Sequence, residues 1–419
     1  MNKRDFLKTF GTAAIGSPFL SLDLSSNHKF EDYSKRNNLS ESDFWKKIRE
    51  DYTLKKDYIN LENGYYCIVP NPTLNNFIAH VKKINIEGSY YMRHNRDKDN
   101  KRIEARLANF LNCDPDELVV TRNTTESLDL IIGGFPWKKG DEAIYAKQDY
   151  GAMQQMFKLV SKRHGVVNKV VSVPNHPKSD EEIVKLYENQ ITSKTKLIMV
   201  CHMVNITGHI LPIRKICDMA HKYGVEVMVD GAHCIGHFKV NISELNCDYY
   251  GSSLHKWLST PLGVGILYIS KNKISKINPL LASHVHEQDN ILRLNHIGTH
   301  PVYTDLAVDN ALDYQEMIGT DRKENRLRYI QRYWSDRLRK IKNVVINTPI
   351  EEHKSCGIAN VGIKNMDPGK LSKILLDKYQ IFTVAINHEN VVGCRISPNV
   401  YTNQEDLEHF ISSIKELAV

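Results

Sequence analysis

Between about residues 115 and 270 the chain alternates short apolar runs with stretches of helical spacing. No other feature constrains the fold as tightly, because a strand, a covering helix and a second strand return the chain to one parallel sheet. Seven runs read as strands, at residues 118–121, 143–146, 169–173, 196–202, 225–230, 247–253 and 263–269. Between them, Met153, Met156, Phe157 and Val160 recur at helical spacing before Gly165. Ile213, Ile216, Cys217 and Ala220 do so before Gly224. Both glycines are good helix stops.

After residue 305 the texture changes to a long, charge-laced helical stretch reaching Ile341. Short strands follow at 344–347, 357–361, 381–386 and 391–396, with two more helices. This predicts a large α/β domain over 41–300 and a smaller α+β domain over 301–419, with 41–115 contributing to the small domain or to subunit contacts. The block 321–340 carries eight Lys/Arg against three Asp/Glu, but Leu327, Ile330, Trp334 and Leu338 interleave at helical spacing, which marks a solvated helix face. The 56 basic and 49 acidic residues leave a charge of +7 over 419 residues, too mild to call for nucleic acid. No run reaches the ~18 consecutive apolar residues of a spanning helix, so no integral membrane segment is expected. Eight cysteines without a C-x-x-C pair argue against a thiolate zinc site.

Lys3-Arg4-Asp5-Phe6-Leu7-Lys8 and the weakly apolar 9–20 resemble a twin-arginine export signal with lysine in place of the first arginine. They predict a periplasmic protein, with a short helix on a cytoplasmic protein as the alternative. Residues 21–40, rich in Ser, Asn and Lys, read as a linker that completes this 1–40 segment.

Three motifs carry chemistry. Lys256, in Ser252-Ser253-Leu254-His255-Lys256-Trp257-Leu258, follows a strand, where ligands of open α/β sheets bind. A partly desolvated lysine there has a lowered pKa and attacks carbonyls. Asp230 closes the apolar run Val227-Met228-Val229 and precedes Gly231-Ala232-His233. A buried acid needs a cationic partner, such as a protonated pyridine nitrogen. Asn123-Thr124-Thr125-Glu126 has capping-box spacing at a helix start, whose free N–H groups and threonine hydroxyls suit a phosphate. A loop lysine, a turn cap and an ordinary helix cap use the same residue types, so each motif taken singly stays open.

Jointly, in this order and spacing, the motifs resemble the class V aminotransferases, fold type I pyridoxal-phosphate (PLP) enzymes, over about 55–415. Asp230-Gly231-Ala232-His233, His255-Lys256-Trp257-Leu258 and Gly298-Thr299 are most similar to the isopenicillin N epimerase-like branch. The resemblance implies a Schiff base on Lys256, which also shuttles the Cα proton, and Asp230 on the pyridine nitrogen. It implies His233 and Asn205 at the ring oxygen and Tyr150 stacked on the ring. Phosphate contacts would come from Thr124, Thr125, Ser253 and His255, with Thr299 supplied across a homodimer. Arg395 would hold the carboxylate of a small amino-acid substrate.

Cysteine desulfurases of this class carry a reactive cysteine on a loop before that arginine, whereas here 381–386 runs through Asn387-His388-Glu389-Asn390 straight to Val391. Chemistry at Cα, epimerase-like or transaminase, is therefore expected over C–S lyase or desulfurase activity; a fold-retaining pseudoenzyme is the non-enzyme alternative. His300 stands where the epimerase-like text has arginine, and would reach the site from across a dimer. Tyr65, Tyr66, Tyr90 and Tyr91 are candidates for a second proton carrier. Asp230, His233 and His237, with His284 and His286 downstream, offer a competing metal reading, but Gly231 and Gly236 disfavour a regular helix there and no metal is expected.

Overall fold

The computed structural model describes Arg36, residues 38–282 and residues 287–419. The export-signal reading, and His284 and His286, lie outside the described residues.

Helix α1 (Glu41–Glu50), capped by Ser40, buries Phe44, Trp45 and Ile48. Strand β1 (Ile59–Asn60) and helices α2 (Asn71–Glu87), α3 (Ser89–His94) and α4 (Arg96–Leu111) lead into the sheet. The α/β alternation then runs β2 (Leu118–Thr121), α5 (Thr124–Gly134), β3 (Glu142–Ala146), α6 (Gly151–His164), β4 (Val167–Val171), α7 (Asp180–Glu188), β5 (Thr195–Cys201), α8 (Ile213–Lys222), β6 (Glu226–Asp230), α9 (Ile242–Leu245), β7 (Tyr249–Ser253) and β8 (Gly265–Ile269). The seven strands lie in the order β2-β8-β7-β6-β5-β3-β4. All pairs are parallel except those of β8, which is antiparallel to both neighbours. Successive strand residues alternate between two apolar clusters: Ile144, Ile198, Val227 and Val229 join one, and Tyr145, Leu197, Met199 and Met228 the other. A sheet covered on both faces needs both sets apolar, hence the continuous apolar runs.

Helices α10 (Val302–Ile318) and α11 (Thr320–Leu338) lead to the C-terminal small domain. It comprises β9 (Val344–Ile346), β10 (Ala359–Ile363), α12 (Pro368–Tyr379), β11 (Ile381–Phe382), β12 (Val384–His388), β13 (Val391–Ile396) and α13 (Gln404–Leu417). Its antiparallel sheet has the order β12-β13-β10-β9. β1 pairs with β11, and Glu62 bridges to Ser397, so the chain just after β1 is laid along the small domain.

Two expectations are corrected. The single helical stretch after 305 is two helices, broken at Gly319, whose φ of 86° is one that glycine tolerates and other residues rarely adopt. The strand expected at 381–386 is two, because the chain leaves β1 after Phe382 and joins β13 from Val384. Several other ends shift by about two residues, as β4 and β10 illustrate.

Candidate active site

Asp230 ends β6 and Ser253 ends β7, adjacent parallel strands whose carboxyl ends open side by side. Tyr150 follows β3, and Asn205 follows β5. Between these strands the chain reverses its direction of travel across the sheet, which is where open α/β sheets form a crevice. The crevice is a cleft of about 490 Å³ lined by Thr124, Thr125, Tyr150, Asn205, Asp230, His233, Ser253, His255, Lys256 and Arg395. Of the residues expected to hold cofactor or substrate, Thr299 does not line it and is exposed. His300 is held locally, its Nε2 3.1 Å from Asp305 Oδ2.

Lys256 Nζ lies 3.0 Å from His233 Nε2. Burial pushes its ammonium down to about 8; Asp230 opposes the shift and Arg395 adds to it. Burial, then Lys256, drives the His233 imidazole well below its ordinary value. Trp257 Nε1–H donates to His233 Nδ1 at 3.4 Å, so a neutral His233 carries its proton on Nε2, toward Lys256. The Trp257 indole stacks on His237 with ring centres 3.6 Å apart. Gly357 N–H donates to His237 Nε2 at 2.7 Å, so His237 Nδ1 is the donor to the His233 carbonyl, 2.8 Å away. Both ring nitrogens of His237 are thus committed to backbone. Asp230 is buried, and burial raises its pKa against the Ala232 N–H that Oδ1 accepts at 3.0 Å.

At the other wall α5 begins. Asn123 Oδ1 accepts Glu126 N–H at 2.9 Å, but Glu126 turns back to Arg122 N–H at 3.0 Å, so only half of the expected capping box forms. Thr124 Oγ1 lies 2.7 Å from Ser253 Oγ, which accepts Thr124 N–H at 3.0 Å. His255 Nδ1 donates to the Val264 carbonyl at 3.1 Å, and burial lowers its pKa to about 4.

Arg395 is buried at the far end, and sequence reasoning missed its partner. Glu62 takes Arg395 Nε–H at 3.1 Å on Oε2 and Nη2–H on Oε1, while Nη1–H reaches the Asn205 carbonyl at 3.4 Å. The one available signal was an acid in the strand-like text Ile59-Asn60-Leu61-Glu62. Cys201 was missed as well: its thiol lines the cleft, donates to the Met203 carbonyl at 2.9 Å, and is driven well above its ordinary pKa by burial, then by Asp230. Of the four tyrosines, Tyr65 reaches the cleft, whereas Tyr91 is buried with its hydroxyl on Asp99.

Residues 73–410 match the family described as Aminotransferase class-V. The chain belongs to that family. This class V chain is 26% identical over 332 residues to an isopenicillin N epimerase of Amycolatopsis lactamdurans, covering 75% of this chain and 83% of the relative. It is 24% identical over 400 residues to a probable cysteine desulfurase of Methanothermobacter thermautotrophicus, covering 88% and 97%. Among solved structures, a variant of C-DES with glycine covalently linked to its PLP cofactor superposes with a TM-score of 0.80 at 19% identity, over 88% of this chain and 99% of that one.

The class V cofactor is PLP, and the donor set fits it. A buried carboxylate at a strand end suits a protonated pyridine nitrogen, and a deprotonatable amine suits its carbonyl. A helix N-terminus flanked by Thr124, Thr125 and Ser253 hydroxyls suits its phosphate.

Proposed function

We propose that this class V enzyme acts at the Cα of an amino acid, as an epimerase or transaminase. The observation that carries the reading is the Lys256 amine, lowered to about 8, in one cleft with Asp230 and Arg395. An amine near neutral pKa both takes and returns a proton at Cα. When bound, PLP supplies the sink for the electron pair left there. Asp230 would keep the pyridine nitrogen protonated, His233 would orient the ring oxygen and the Lys256 amine, and Thr124, Thr125, Ser253 and His255 would hold the phosphate end. Arg395 would fix the substrate carboxylate. Epimerisation needs a second proton carrier opposite Lys256, and Tyr65, at the cleft mouth, is the candidate.

A second reading, C–S bond cleavage, draws on the desulfurase relatives. Against its thiol-dependent form stands the turn between β12 and β13: His388 pairs with Val391, leaving Glu389-Asn390 as the connection. All eight cysteines are described, and Cys201, the one lining the cleft, is locked as a thiol. The proposal extends to a homodimer in which Thr299 of the partner subunit completes the phosphate end, since Thr299 stands away from its own cleft. It extends also to export through the Lys3-Arg4 segment. Among the described residues no helix is long and apolar enough to cross a membrane.

The test is incubation of the holoenzyme with L- and D-amino acids in deuterated water. Lys256-dependent exchange at Cα with inversion or amino transfer is expected. Sulfide release from cysteine without either product would sink the proposal in favour of the second reading.

A further inference from the structure

Glu62 sits behind the cleft, and its carboxylate is fully engaged. Oε1 accepts from Arg395 Nη2 and from Tyr65 N–H at 3.0 Å; Oε2 accepts from Arg395 Nε at 3.1 Å and from Ser397 Oγ at 3.2 Å. The two side chains are only 7% and 5% exposed. Gly64 lets the backbone lie flat on the guanidinium: a Cβ there would stand 2.5 Å from Arg395 Cζ. One edge of the arginine fork is therefore closed by protein and its charge is already matched; Nη1 also reaches the Asn205 carbonyl at 3.4 Å, and the remaining Nη1 and Nη2 hydrogens are left for a ligand.

The rest of the cleft repeats the pattern. Its other guanidinium, Arg122, is paired through Nε with Glu126 at 2.6 Å. His255 is held neutral by burial, and Lys256 is committed to the cofactor carbonyl. Among the described residues lining the cleft, no cation is left without a carboxylate or a cofactor role. Within this subunit, a second carboxylate drawn into the cleft would meet no unpaired cation.

Resting on the amino-acid reading above, we infer that Glu62 is a built-in counter-carboxylate for Arg395 and that it restricts the site to amino acids with a single carboxylate. Glu62 is a positioning and specificity-determining residue, not a catalytic one. It holds the fork in one orientation and cancels the charge that would otherwise attract dicarboxylic substrates.

The experiment titrates the purified holoenzyme with a panel of L- and D-amino acids that includes the isosteric pairs Asn/Asp and Gln/Glu. Binding is followed by visible absorbance and by calorimetry, with thermal unfolding alongside. In the wild type at least one monocarboxylic acid is expected to bind, and Asp and Glu to bind at least about tenfold more weakly than their amides, or not at all, the cost of an unpaired buried charge. Glu62→Gln is expected to lower the melting temperature, because it strands a buried guanidinium. It is also expected to tighten carboxylate binding and narrow the amide–acid gap. Glu62→Asp keeps the charge and is expected to keep the discrimination, so the inference stays testable if Glu62→Gln does not fold. A dicarboxylic acid binding as tightly as its amide in the wild type overturns the inference, as does a Glu62→Gln enzyme with weaker binding and an unchanged gap. If no amino acid in the panel binds, the amino-acid reading of the cleft itself fails, and this inference with it.

Discussion

The two ends of the cleft handle buried charge in opposite ways. At the end built on the large sheet, Asp230 is buried against a backbone N–H, and Lys256 faces an imidazole instead of a carboxylate. Both groups are driven toward neutrality by burial. At the end shared by β13 and the segment after β1, Arg395 is clamped by Glu62 through both Nε and Nη2 with matched charge. The first end stores an unpaid desolvation cost that a bound cofactor relieves, and the second has met that cost within the protein. Ligand chemistry is expected to be most sensitive to substitution where the charge is open, and orientation where it is closed.

Lys256→Ala is the largest test of that contrast. Removing the amine eliminates the proton carrier and is expected to lower kcat by about 10²–10⁴-fold, with loss of the amine-dependent visible band in the purified protein. Asp230→Asn keeps the shape but not the charge, and is expected to cost about 10²–10³-fold in turnover, with weaker retention of PLP on dialysis. Should either variant keep full turnover, the open end is not where the chemistry sits. Gly64→Ala probes the closed end. Its new methyl would overlap Arg395, which cannot swing away without leaving Glu62, so a stability loss of about 1–3 kcal/mol is expected in chemical unfolding. KM should rise more than kcat falls. A variant with unchanged KM would show that the fork's position does not matter to substrate.

The sequence was most legible where position depends on local order. The positions of Asp230, Ser253 and Lys256 at or just after strand ends were legible because a strand end is visible in the text that precedes it, and parallel strands of one sheet bring their ends to one side. Asn123 was legible as a cap for the same reason. The contacts that determine the cleft's character were not legible. Glu62 and Arg395 are 333 positions apart, and their meeting depends on the bridge between Glu62 and Ser397, which no local pattern encodes. Gly357, held by His237, is 120 positions from it. The unbroken helix expected after 305 failed for a simpler reason, a single glycine at positive φ inside a stretch of otherwise good helix formers.

The smallest and sharpest test reads the coupling between the two ends through the proton on Lys256. Burial lowers this amine from 10.5 to about 8, Asp230 holds it up, and Arg395 pushes it down. In the folded apo-protein the amine is expected to titrate near 8, followed by NMR after isotopic reductive methylation and assigned by its absence in Lys256→Ala. Because the folded value lies below the unfolded one, the group's contribution to stability is complete above the unfolded pKa and is lost as pH falls through about 8. Asp230→Asn removes the supporting charge and should move the midpoint lower. Glu62→Gln should also move it lower, though less, because an unmatched Arg395 repels the ammonium more strongly from the other end of the cleft. A midpoint near 10.5 would mean the amine is solvated and the open end is not desolvated at all. A midpoint that responds to Asp230→Asn but not to Glu62→Gln would mean that Glu62 does not screen Arg395, leaving the two ends electrically independent.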